Sequence, residues 1–182
     1  VVKRSGQSGI TAIAHKTPPG LDVDMYAIQV LGKILCDGKS SRLYKKIVDQ
    51  GLATSLFMYD FPFKDNGLFI TYAFLTPGTE NQEVEDIILK EYNNIISNGV
   101  DDSEIMRAVA QIRATVAFSR DGSYAVASAL NEAIAIGDWQ FYTTFVEKIE
   151  LVTAEDIKRV AAKYLTEDQS TVGWFIPKNK NK

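Results

Sequence analysis

The chain has 182 residues, 46% apolar and 24% charged, with a formal net charge of −3, a composition that fits one folded domain and excludes a disordered chain. The acidic balance argues against nucleic acid as a general partner, because phosphate binding needs a basic face. No run of about 18 apolar residues is present, so no membrane-spanning helix is expected.

Residues 1–8 open with Val1-Val2-Lys3-Arg4 rather than methionine and continue through Gly6-Gln7-Ser8. They read as a flexible lead-in, and the chain as a segment of a longer protein. Residues 9–16 alternate apolar and polar positions and predict a strand, ended by Pro18-Pro19-Gly20. Residues 22–36 repeat apolar side chains at three- and four-residue steps (Val23, Tyr26, Ala27, Val30, Leu31, Ile34), which predicts a helix. Asp22 is placed to cap it and Asp37-Gly38 to end it. A shorter helix is expected over 40–50 with Leu43, Ile47 and Val48 inward.

Two strands follow, 53–60 and 67–75, around Lys64-Asp65-Asn66-Gly67. Asn-Gly signals a tight hairpin turn. From residue 79 the periodicity is helical: 80–98, stopped by Asn98-Gly99, then a helix opened by a capping box of Asp101 and Glu104. Further helices run from Gly122 to Gly137, from Trp139 to Ile149, and from Thr153 to Leu165. Residues 170–176 predict a closing strand, and 178–182 a flexible, lysine-rich tail. The order reads β-α-α-β-β-α-α-α-α-β. It predicts an α+β two-layer sandwich, with a mainly antiparallel sheet of about four strands and helices on one face of a single domain.

Catalytic chemistry finds little to work with. His15 is the sole histidine and Cys36 the sole cysteine, so neither an internal disulfide nor a two-histidine metal motif can form. Gly38-Lys39-Ser40 lacks the earlier glycine and the preceding strand that a phosphate loop requires. Acidic pairs such as Asp101-Asp102 sit at helix starts, where they favour the dipole. No catalytic and no metal-binding residue is expected within these boundaries.

Four stretches carry a resemblance: TPPGLDVDMYAIQVLGKILCDGKSSRLYKKIVDQGLAT (17–54), NGLFITYAFLTPG (66–78), AIAIGDWQ (133–140) and VTAEDIKRVAAKYL (152–165). In that order and spacing they resemble the second, inactive domain of pitrilysin/insulinase-family zinc peptidases, which include the mitochondrial processing peptidases. The resemblance implies a non-catalytic domain that shapes a chamber around a peptide substrate. Zinc would be held by H-x-x-E-H in a first domain of the same polypeptide. Some second domains of the family grip substrate with an arginine and a tyrosine seven residues apart. The matching positions here are Ile47 and Thr54, and no arginine has a tyrosine seven residues on. The resemblance therefore implies that a second subunit or a second half-molecule supplies that pair. Arg42 and Tyr44 lie close by and are the candidates to touch substrate, the alternative being that they pack or cap the short helix. Two other functions stay open: an assembly subunit of the same fold without proteolysis, and a peptide-binding module that takes a strand onto a sheet edge.

Overall fold

Alternation builds the central strand. In the computed structural model, which describes residues 1–178, β2 (Ile10–Pro19) turns Thr11, Ile13, His15 and Thr17 to a buried side and Ile10, Ala12 and Ala14 to a half-buried one. It lies in the middle of a five-stranded sheet with β1 (Val2–Ser5), β3 (Ala53–Phe61), β4 (Asn66–Leu75) and β5 (Ser170–Lys178), in the order β1-β5-β2-β4-β3. All neighbours are antiparallel except β1 and β5.

The sheet thus has five strands where about four were expected. The added strand, β1, lies in the expected lead-in over 1–8. Its residues Val-Lys-Arg-Ser are all exposed, so no alternation marks it. It forms because the outer edge of β5 pairs Val2 with Phe175 and Arg4 with Pro177. Of the tail expected over 178–182, Lys178 ends β5 and the rest lies outside the described residues.

The helices cover one face. Helix α1 (Asp24–Cys36) buries ten of its thirteen residues, which is why its sequence is apolar nearly all round. The expected helix over 40–50 is realised as a π-helical turn, Tyr44–Val48. The amides of Asp49 and Leu52 reach back five residues to the carbonyls of Tyr44 and Ile47, which widens the turn while Leu43 and Ile47 stay fully buried.

The five helices expected one by one after the hairpin all form, one more than the order β-α-α-β-β-α-α-α-α-β counts: α2 (Asn81–Asn98), α3 (Asp102–Phe118), α4 (Ser123–Ile136), α5 (Gln140–Glu150) and α6 (Ala154–Tyr164). Gly137, at φ 135°, breaks the helical path and separates α4 from α5. The Asp101–Glu104 capping box is present, with the Glu104 carboxylate accepting from the Asp101 amide at 3.0 Å. Among the described residues no helix is long and apolar enough to cross a membrane.

Between the layers, Ile13, Leu31, Leu35, Phe69, Ile88 and Tyr92 are almost wholly withdrawn from water. Each such burial is worth about 1.5–3 kcal/mol. Two acids, Glu91 and Asp24, are buried as well. Asp24, in the first turn of α1, accepts from Arg159 Nη1 (2.5 Å), Lys163 Nζ (2.9 Å) and Tyr164 Oη (2.8 Å) of α6. Burial alone would raise its pKa, but the donors from Lys163, Arg159 and Tyr164 prevail and pull it down to about 2. The two helices are thereby pinned together by charge as well as by packing.

Candidate functional site

Among the described residues, helices cover only one face of the sheet. The strand register puts Ile10, Phe74 and Phe175 side by side on the open face, then Ala12 with Tyr72, Ala14 with Ile70, and Lys16 with Leu68. On β3 the same face carries Phe57, Tyr59 and Phe61. Six rings form a continuous strip. Phe74 stands edge-on to Phe57 (6.2 Å between centroids), Phe57 tilts on Tyr72 (5.7 Å), and Tyr72 stacks on Tyr59 (5.6 Å, 12° between planes). Tyr59 stacks on Phe61 (6.2 Å) and Phe61 on Phe63 (6.0 Å).

These rings remain wet: Tyr59 is 45% and Phe63 52% exposed. Stacking of this kind is worth about 0.5–1.5 kcal/mol per pair beyond area burial, so the strip is a stiff surface. A contiguous exposed apolar patch of this sort marks an interaction site. Its strand positions carry cations, Arg4 and Lys16, and no carboxylate. The signal was present in the sequence: β3 and β4 are apolar in both phases of the alternation, Leu56 and Met58 as well as Phe57 and Tyr59. Strands read that way when both faces are meant to be covered.

The groups that could carry chemistry lie elsewhere. His15 is on the covered face, 1% exposed, edge-on to Tyr92 at 5.5 Å, and its Nδ1 has no partner. Burial pushes its pKa down to about 4. Cys36 is buried, and burial pushes its thiol up to about 12 despite a hydrogen bond with Thr71. Zinc takes several deprotonated ligands converging on one point. A histidine sealed beneath a tyrosine ring and a thiol held protonated do not fit that need, and no group of three potential ligands converges among the described residues.

His15 makes stability pH-dependent. Its unfolded value is near 6.5 and its folded value near 4, so below pH 6.5 the unfolded chain takes a proton that the fold refuses. Stability is full above pH 6.5 and falls by about 3 kcal/mol as pH drops to 4. We expect the urea midpoint of the native chain to fall from pH 7 to pH 5 and that of His15→Phe to stay flatter. Equal slopes would show that His15 is protonated in the fold.

Arg42 and Tyr44 are not brought together. Arg42 reaches across the helical layer: Nε and Nη2 donate to the two oxygens of Glu104 (2.8 and 2.6 Å), Nη1 donates to Glu91 (3.1 Å), and Nη2 also reaches the Gly99 carbonyl (3.4 Å). Glu104 is the same carboxylate that caps α3. Hydrogen bonding to Glu104 raises the pKa of Arg42 further. Glu91, 1% exposed, also accepts from Lys46 and Asn94. Burial works to raise its pKa, but Lys46, Asn94 and Arg42 hold it below the ordinary range. Tyr44 opens the π-helical turn, half-buried and apart from this network. Glu91 and Glu104 were not legible as partners of Arg42, since 49 and 62 residues of chain separate them.

A family profile described as the peptidase M16 inactive domain matches residues 1–112. An uncharacterized zinc protease of Streptomyces coelicolor is 30% identical over 152 residues, which cover 81% of this chain and 33% of that protein. The mitochondrial-processing peptidase subunit beta of Lentinula edodes is 29% identical over 137 residues, covering 75% and 29%. The crystal structure of the inactive peptidase domain of a candidate zinc protease from Bordetella parapertussis superposes with a TM-score of 0.88 at 25% identity, covering 100% of this chain and 97% of that one. The chain spans about a third of the length of these curated relatives.

Proposed function

The chain belongs to the M16 peptidase family as its inactive domain, and from that premise we propose that its open sheet face is one wall of a chamber that holds a peptide for cleavage by a zinc-bearing domain elsewhere in the parent protein. The observation that carries this reading is the six-ring strip on a face that the fold leaves uncovered. A flat aromatic wall offers apolar contact to many side chains and reads no particular sequence. Its work would be physical: an extended peptide held against a stiff surface has already lost much of the freedom that the reaction would otherwise cost. Water excluded from the wall sharpens every polar contact at the reacting centre.

In this reading the zinc ligands come from the first domain of the same polypeptide, and a substrate-gripping arginine and tyrosine from a second subunit or a second half-molecule. Substrate lies on the sheet, not at Arg42, whose donors are already engaged with Glu91 and Glu104. A second reading, strand addition, is favoured by one observation: β3 ends the sheet and is nine residues long, so its outer backbone groups can take an extended peptide.

The test places the photoreactive residue p-benzoylphenylalanine at Tyr59 in the complete parent protein, with a control at exposed Lys90 on α2. A fluorescein-labelled unstructured peptide should be captured from position 59 and not from position 90. Cleavage of the peptide without capture at 59, or equal capture at both, would remove the sheet face from the substrate path.

A further inference from the structure

On the covered side of the sheet, α4 and α5 fail to close against the end of β3. Helix α4 buries only Ala133 and Ile136, and beneath it lies a cavity of about 340 Å³. Its walls include the rings of Phe141, Tyr142 and Phe145 on α5, and its amide and carboxylate groups come from Gln29 of α1, Asp60 of β3 and Glu132 of α4. The rings are held in place: Phe141 and Phe145 lie 5.3 Å apart, and Tyr26 stacks on Phe141 at 5.9 Å.

These three side chains have no side-chain partner within the fold, and Asp60 has only its own backbone amide. Among the described residues, none of Gln29, Asp60 and Glu132 makes a side-chain hydrogen bond or ion pair with another side chain. Glu85 has the Trp174 indole N–H on it, and Asp24, Glu91 and Glu104, which the helical layer also withdraws from water, each have at least one cation on them. Asp60 has none. Burial pushes its pKa up, while its own backbone amide and the more distant Lys33 pull the other way. A carboxylate withdrawn from water without a cation is an unfavourable arrangement that a ligand relieves.

We propose that this cavity receives the arginine side chain of another polypeptide, with its guanidinium between Asp60 and Glu132 and its methylenes along the rings of α5. Charge complementarity specifies a cation, and the aromatic wall specifies a flat one, since guanidinium stacks on ring faces where an ammonium stays hydrated. The rim already shows the preference. Arg120 lays its guanidinium 4.9 Å over the Tyr142 ring and reaches the Tyr142 carbonyl at 3.4 Å. The volume is that of a small-ligand pocket and accommodates one long side chain without room for a folded element. The site lies across the sheet from the aromatic strip and stands independently of the chamber reading.

The test uses butylguanidinium and its neutral isostere butylurea, titrated against the 182-residue chain and followed by amide chemical shifts. Butylguanidinium should bind saturably, shift the amides around Asp60, Glu132 and Phe141, and bind at least tenfold tighter than butylurea. Asp60→Asn, nearly isosteric, should weaken it at least tenfold. Asp138→Asn, a neighbouring acid outside the cavity, should leave it unchanged. Equal affinity for the two probes, indifference to Asp60→Asn, or shifts confined to Arg120 and the rim would overturn the proposal. Should Asp60→Asn unfold the chain, Glu132→Gln, whose side chain is exposed, decides it by the same comparison.

Discussion

Replacing Arg42 by alanine is expected to destabilise the fold by roughly 3 kcal/mol, at the lower end of what breaking a buried ion pair costs. The guanidinium is the one group that joins the π-helical turn to α2 and α3 at once, through Glu91, Glu104 and the Gly99 carbonyl. Glu91 is 1% exposed in the intact chain, and without Arg42 it has Lys46 and Asn94 as its remaining donors, while Glu104 keeps only its capping role. For a chain of this size that loss lowers Tm by about 6–12 °C. Arg42→Lys should recover only part, because an ammonium cannot satisfy two carboxylates and a carbonyl from one plane. Adding Glu91→Gln to Arg42→Ala should restore some stability, since the stranded charge is then gone. Chemical denaturation of the four proteins measures all of this. A loss under about 1 kcal/mol in Arg42→Ala would mean that the network is decorative, and Arg42 would then be free to meet substrate.

Gly67→Ala is the second large effect, expected at roughly 3 kcal/mol or more. A Cβ at Gly67 would sit 2.1 Å from the Phe61 carbonyl oxygen and 2.8 Å from Thr17 Oγ1. The first contact is with backbone, so no rotamer change relieves it. The end of β3 would have to move off β4, and Tyr59, Phe61 and Phe63 would move with it. Gly173 is the control: it lies on the open face of β5 with no atom within 4 Å of a built Cβ and no positive φ. Gly173→Ala should therefore be neutral or slightly stabilising. Comparable losses at both positions would show that Gly67 matters for strand entropy and not for close approach.

Gly67 also shows how a local signal can be sound while its meaning is decided elsewhere. Asn66-Gly67 reads as a two-residue hairpin turn. In the fold both residues already belong to β4, and the chain reverses over residues 62–65. The hairpin is there, but the glycine serves contact with Phe61 and Thr17, and its φ is not positive. Those partners lie in two other strands, and no window of sequence around residue 67 contains both.

Local chemistry determined a good deal. Alternation marked β2, the Asn66-Gly67 signal marked the hairpin of β3 and β4, three- and four-residue periodicity marked the long helices, and the capping residues Asp101, Glu104, Thr153 and Asp156 stand where their spacing put them. The poverty of metal ligands follows from counting one histidine and one cysteine, and the four conjoined motifs were enough to indicate the family. All of these depend on residues within a turn or two of one another, or on composition alone. What only the tertiary structure decided depends on groups far apart in the chain. A fully exposed four-residue strand is recruited across more than 160 residues by the free edge of β5. Arg42 became a tie between two acids rather than a free hand. The six rings became one surface, because strand register places side chains of β3 and β4 on the same face, and register is a property of the assembled sheet.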